Sequence, residues 1–194
     1  MLKLFYITAL LLCMQSAAAQ RFQFGIKGGV NISNFTGGDF EDIENESLVG
    51  AHAGGLVRFR FGETLALQPE VLFSSQGAKL KSAVEEFDAR ISYINIPVLV
   101  QFHTTGGFFL EGGPQVGFKV SEDVPDQTIE NFAESSDLSL ALGLGYHTRS
   151  GLGFSGRYTI GLSKVGDFDA STLDPDFKNG VIQLGLFFTF FNKK

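Results

Sequence analysis

Apolar and polar residues alternate along most of this chain. The alternation begins at Phe22 and returns seven more times before the C-terminus. A period of two places successive side chains on opposite faces of a strand, so each segment has one apolar and one polar face. The pattern predicts eight strands, at about residues 22–33, 48–61, 64–76, 90–102, 108–120, 137–147, 152–163 and 180–190.

The connections between these segments alternate in length. Residues 62–63, 103–107 and 148–151 are short and contain glycine, as tight hairpins require. The stretches 34–47, 77–89, 121–136 and 164–179 are long. Short turns at one end and long loops at the other are typical of bacterial outer-membrane barrels, and the strands are long enough for tilted spans of a bilayer. The predicted fold is therefore all-β, an eight-stranded antiparallel up-and-down transmembrane β-barrel.

Composition and charge agree with this fold. The chain is 44% hydrophobic with 21 Phe, and its formal net charge is −6, which argues against a nucleic-acid partner. Of its 21 acidic residues, 17 fall in the four long loops, so acid is kept away from the lipid-facing positions, where it would be costly. A single Cys supports neither a disulfide framework nor a zinc site.

The first nineteen residues form a separate segment. Lys3 precedes an apolar run over residues 4–14, and Ala17–Ala19 supply a small-residue cleavage site, so we predict a signal peptide over 1–19. A lipid anchor on Cys13 is disfavoured because Leu12, rather than a small residue, precedes it. Residues 20–194 are then the barrel domain, and the expected location is the cell outer membrane.

Six segments carry a family resemblance: GIKGGVNIS (25–33), LALQPEVLFSSQG (65–77), YINIPVLVQF (93–102), FFLEGGPQVGF (108–118), GLGY (143–146) and SGRYTIGLSKV (155–165). Together they resemble the PorT-like outer-membrane β-barrel family of Bacteroidota-type bacteria. The resemblance implies a small barrel with a signal peptide and an outer-membrane location. Some relatives belong to the type IX secretion and gliding apparatus. The resemblance carries no functional residue over to this chain.

The interior of an eight-stranded barrel is only wide enough for its own side chains. Five charged residues on the inward faces fall at similar heights: Lys27, Arg58, Glu70, Glu111 and Arg157. Because buried charges must be paired, we expect a structural ion-pair network that plugs the lumen. The alternative is a rearrangeable gate for small ions. Inward glycines are expected to make room for bulky side chains across the lumen.

Other chemistry has weaker support. Some eight-stranded barrels hydrolyse lipid A chains, but His52 and His147 are expected to face inward and His103 to lie in a short turn. G-x-S-x-G is absent, so no enzyme and no cofactor is predicted. GIKGG lies inside a strand and precedes no helix, which excludes a phosphate loop.

Two long loops are rich in acid. They form a solvated fringe, or they capture divalent cations that bridge to lipopolysaccharide, since hard cations take carboxylate oxygens. The candidates are Asp39, Glu41, Asp42, Glu44, Asp167 and Asp169, without the spacing of a defined calcium loop.

The sequence thus predicts an integral outer-membrane barrel that serves as a structural or surface scaffold, with acidic extracellular loops. Its expected partners are outer-membrane lipid, lipopolysaccharide and, during biogenesis, the barrel-insertion machinery, because the aromatic segment 187–191 resembles the signal that this machinery reads. The alternatives are a narrow ion pore, an accessory of a secretion or gliding apparatus, a soluble periplasmic lipocalin-like binder and a lipid A-modifying enzyme.

Overall fold

The alternating segments form eight strands that pair antiparallel in chain order. A computed structural model describes residues 22–36, 44–81, 86–123, 135–163 and 178–190. The strands are β1 (Phe22–Thr36), β2 (Glu44–Phe61), β3 (Leu65–Lys81), β4 (Glu86–His103), β5 (Phe108–Asp123), β6 (Ser136–His147), β7 (Leu152–Gly161) and β8 (Lys178–Phe190). Because β8 returns to pair with β1, the sheet closes into a barrel, and the predicted fold is confirmed. Each of the three short turns contains a glycine with positive φ: Gly62, Gly107 and Gly151.

The strand register fixes the width of the barrel. From Phe22, successive partners are Phe59, Leu67, Val100, Gly112, Leu142, Tyr158, Ile182 and finally Ile32. One circuit therefore returns to β1 ten residues further along. With about 3.3 Å per residue and about 4.7 Å between strands, this stagger gives a strand tilt of about 41° and a backbone radius of about 8 Å. Such a lumen is filled by side chains that meet across it.

The two faces of the sheet differ as predicted. Along β6, Leu138, Leu140, Leu142 and Leu144 are exposed on the outside, whereas Asp137 and Ser139 are buried inside. The other strands repeat this arrangement, with exposed Val, Ile, Leu and Phe outside and buried polar residues inside. An apolar exterior around a polar interior suits a barrel whose outer face contacts lipid. No helix in the described part of the chain is long and apolar enough to cross a membrane.

Aromatic side chains form a belt around the outside of the barrel at its short-turn end. Phe108 packs edge-on against Tyr146 with ring centroids 4.9 Å apart, and Tyr146 stacks on Phe154 at 5.8 Å. Phe22 contacts Phe59 at 5.5 Å on another side of the barrel. Such belts lie at the level of the lipid headgroups.

Three strands extend four or five residues further than predicted at the long-loop end. β2 begins at Glu44, β3 continues to Lys81 and β4 begins at Glu86, so parts of the predicted loops 34–47 and 77–89 are strand. The register places Glu44 opposite Lys81 and Glu46 opposite Lys79, and it pairs β3 in turn with Asp88 and Glu86 of β4. Opposite charges on neighbouring strands favour pairing without an apolar face. The hydrophobic period therefore ends before the strands do.

Candidate functional site: the lumen

Four charged side chains from alternate strands meet inside the barrel. Lys27 lies on β1, Glu70 on β3, Glu111 on β5 and Arg157 on β7, and all four are buried. The Arg157 guanidinium forms two hydrogen bonds with Glu70, from Nη1 to Oε2 at 3.0 Å and from Nη2 to Oε1 at 2.9 Å. Its Nε donates to Glu111 Oε1 at 2.9 Å. We call these four residues the ion cluster.

Two glutamines donate hydrogen bonds to the carboxylates of the ion cluster, and Lys27 lies close to one of them. Gln68 Nε2 donates to Glu70 Oε1 and Gln101 Nε2 donates to Glu111 Oε2, both at 2.8 Å. Lys27 Nζ lies 3.6 Å from Glu70 Oε1. Two cations and two carboxylates balance, so the ion cluster is neutral. Its bidentate Arg–carboxylate geometry is the kind that best compensates buried charge.

Arg58 does not join this cluster directly, although the sequence predicts it there. Its Nε donates to Gln68 Oε1 at 2.7 Å, and its Nη1 lies 3.0 Å from His147 Nδ1. The guanidinium also lies over the Phe187 ring, 5.3 Å from its centroid. Arg58 is therefore linked to Glu70 only through Gln68, on the short-turn side of the ion cluster.

An apolar layer lies in the lumen on that same side, and the alternation of residues does not predict it. Leu56, Phe109 and Phe187 form a buried cluster, with the two aromatic rings 6.1 Å apart. Each ring fills the space left by a glycine on another strand, since a Cβ on Gly145 would overlap Phe109 and one on Gly153 would overlap Phe187. The signal was present in the doublets at residues 108–109 and 187–188, because two successive Phe must place one ring on each face.

All three histidines of the chain are in the lumen. The expectation that His103 lies in a turn is wrong. It is the last residue of β4, it is buried, and its Nε2 lies 3.0 Å from Gln101 Oε1. Its position two residues after the inward Gln101 could have revealed this. His52 Nδ1 lies 2.8 Å from Asn31 Oδ1, and His147 Nε2 lies 2.9 Å from Thr189 Oγ1.

A layer of neutral polar side chains fills the lumen above the ion cluster, toward the long loops. Each strand contributes one buried residue: Asn31, His52, Ser74, Asn95, Gln115, Ser139, Thr159 and Gln183. Asn31 Nδ2 donates to Ser74 Oγ at 2.9 Å, and Gln115 Nε2 donates to Ser139 Oγ at 3.2 Å. The lumen is therefore filled at three successive levels.

Most of the predicted acidic loop residues lie outside the described part of the chain, namely Asp39, Glu41, Asp42, Asp167 and Asp169. Glu44 is the first residue of β2 and pairs in register with Lys81. Within the described ranges, no three or more His, Cys, Asp or Glu side chains gather as a metal site.

The closed antiparallel barrel, its apolar exterior and its polar lumen together define an integral outer-membrane barrel. Residues 14–167 match the family model described as outer membrane protein beta-barrel domain, and the chain belongs to this family. The protein is therefore located in the outer membrane. No curated protein matches the chain.

Solved structures share the fold at low sequence identity. Neisserial surface protein A (NspA) is 15% identical with a TM-score of 0.57, over 86% of this chain and 97% of that one. The outer membrane protein OprG from Pseudomonas aeruginosa is also 15% identical, with a TM-score of 0.52 over 88% and 97% of the two chains. The attachment invasion locus protein Ail of Yersinia pestis is 16% identical, with a TM-score of 0.50 over 88% and 99%. The fold is thus shared with these outer-membrane barrels.

Proposed function

We propose that this protein is a structural or surface scaffold of the outer membrane, with a sealed lumen and an acidic extracellular end. The observation that carries the proposal is the ion cluster, in which Arg157 reaches both Glu70 and Glu111. The layer formed by Leu56, Phe109 and Phe187 lies between this cluster and the periplasmic turns. An ion crossing the barrel would have to break the ion pairs of the ion cluster and displace the side chains of the apolar layer.

Conductance in planar lipid bilayers tests the seal. We expect no unitary conductance from the folded wild-type protein, whose insertion is checked by heat-modifiability on SDS gels. A triple variant with Phe109, Phe187 and Arg157 all changed to Ala removes large side chains from the ion cluster and the apolar layer, two of the three levels, and we expect it to conduct. Discrete channel openings of the wild-type protein would instead favour the ion-pore alternative.

The remaining alternatives have less support. The exposed apolar exterior argues against a soluble lipocalin-like binder, which needs a polar outside and an apolar lumen. The inward positions of His52, His103 and His147 argue against a lipid A-modifying enzyme with its catalytic set on the outer wall. Membership of the narrower PorT-like group, and a role as an accessory of a secretion or gliding apparatus, rest on the sequence resemblance. Co-purification of the protein from native membranes with such an apparatus would test the accessory role.

We further propose that the outer face binds lipid and lipopolysaccharide, that the barrel-insertion machinery assembles the barrel, and that the acidic loops capture divalent cations at the lipopolysaccharide surface. Calorimetric titration of the refolded protein with calcium tests the last point. We expect binding heat that disappears when Asp39, Glu41 and Asp42 are changed to Asn or Gln. A titration without heat would contradict it.

A further inference from the structure

Among the residues that the structure describes, one carboxylate of the lumen lacks a counter-ion. Asp137 is the second residue of β6, at the long-loop end of the barrel, and it is only 6% exposed. In the described part of the chain, no Lys or Arg lies within ion-pairing distance of it. Lys119, a cation at the same end, pairs with Glu122 at 2.9 Å. A buried charge of this kind calls for a positive partner.

Neutral oxygen donors surround this carboxylate. Ser163 Oγ donates to Asp137 Oδ1 at 3.1 Å and itself accepts from the backbone N–H of Leu138 at 2.8 Å. The Asn179 amide lies between Asp137 and the phenol of Tyr93. Asn179 and Tyr93 are 2% and 1% exposed. Three strands, β4, β6 and β8, thus each place a side chain at this site. Ser163, which follows β7, adds a fourth.

The same place has unfilled hydrogen-bonding capacity. Neither polar atom of the buried Asn179 amide completes a hydrogen bond of good geometry. Gly117 of β5 faces the site without a side chain. A Cβ there would lie 2.6 Å from Asn95 Oδ1, 3.4 Å from the Tyr93 ring and 3.5 Å from the Asp137 Cβ. The absence of a side chain on Gly117 therefore lets Asn95, Tyr93 and Asp137 pack closely together at this site.

We propose that this site binds a monovalent hard cation, Na⁺ or K⁺, through the oxygens of Asp137, Asn179, Tyr93 and Ser163. Carboxylate, amide, phenol and hydroxyl oxygens are the ligands that hard cations take. A single carboxylate balances a single positive charge, so the occupied site is neutral in a low-dielectric interior. The ion cluster lies on the periplasmic side of the site, and the cation therefore enters and leaves from outside the cell.

Two measurements on detergent-folded protein test this site. The first is the midpoint of the heat-modifiability transition in NaCl, KCl and choline chloride at equal ionic strength. We expect a higher midpoint in NaCl or KCl that saturates with concentration, as for a ligand that binds only the folded state. The second is ²³Na relaxation, in which bound and exchanging sodium gives excess line broadening. We expect Asp137→Asn to abolish both effects.

Matched variants keep the outcome unambiguous. Glu63→Gln removes the same charge from an exposed periplasmic turn and should leave both effects unchanged. Ser163→Ala keeps every charge, removes one of the proposed oxygen ligands and should weaken both effects, so it carries the test if Asp137→Asn does not fold. Equal midpoints in all three salts, the same salt effect in Asp137→Asn as in wild type, or a saturable effect of CaCl₂ alone would each overturn the proposal.

Discussion

Removing Arg157 is the most direct test of the ion cluster. Arg157→Met keeps most of the side-chain volume but leaves Lys27, 3.6 Å from Glu70, as the one remaining cation of the ion cluster. The cluster then carries a net charge of −1, and the three hydrogen bonds donated by Arg157 at 2.9–3.0 Å are lost. Breaking a buried ion pair by removing one partner costs about 3–5 kcal/mol. We expect a loss of that size in the free energy of unfolding.

Two further variants separate charge imbalance from packing. Arg157→Met combined with Glu111→Gln restores neutrality, because Lys27 and Glu70 remain as a pair, and it should recover most of the lost stability. Arg149→Met makes the same substitution at an exposed turn position and should have little effect.

The assay is equilibrium unfolding of the micelle-bound protein in denaturant, followed by circular dichroism because the chain has no Trp. An Arg157→Met variant within about 1 kcal/mol of wild type would refute the reasoning, since that is far below the cost of an unpaired buried charge. So would a double variant no more stable than the single one.

Three other perturbations have defined outcomes. Gly153→Ala should destabilise the barrel by about 1–3 kcal/mol, because the added Cβ overlaps Phe187. Adding Phe187→Leu should remove the overlap and restore the heat-modifiability midpoint. A double variant without this rescue would contradict the packing. Leu142→Arg, near the middle of the outer face, should cost about 2–4 kcal/mol in lipid-based unfolding, whereas Phe22→Arg, at the periplasmic belt, should cost about 0–1 kcal/mol; equal costs would contradict the assigned depth. Glu46→Lys places like charges opposite Lys79 and should cost less than about 1 kcal/mol, so complete loss of folding would contradict the exposed position of this pair.

The transmembrane part of the fold could be predicted because lipid outside and a filled lumen inside enforce a period of two on every strand. The same period identified Lys27, Glu70, Glu111 and Arg157 as inward-facing. It could not give their pairing, which depends on the stagger around the barrel. Arg58 shares their face, yet it lies nearer the periplasm and meets His147 instead.

The other differences between the predicted and the observed structure arise where apolar and polar residues do not alternate regularly. Beyond the membrane both faces of a strand can meet water, so the extensions of β2, β3 and β4 show no apolar period. Phe109 and Phe187 break the polar character of the inner face, and their glycine partners lie on the neighbouring strands, not across the lumen as the sequence predicts. Asp137 drew no attention because a lone acidic residue in a strand has no spacing to recognise.

Closure between the first and last strands has a consequence for how this protein is made. The backbone N–H and C=O groups of β1 that face β8 have no hydrogen-bond partner until β8, the last strand of 13 residues, is present. The groups of β8 that face β1 likewise depend on β1. No shorter stretch of the chain can complete this hydrogen bonding, so there is no stable half-barrel to form first. A chain arrested before Lys178 would offer two open edges to any neighbouring strand. The whole barrel sequence must therefore be exported before the sheet can close, and until then its unpaired strand edges can pair with other chains and aggregate.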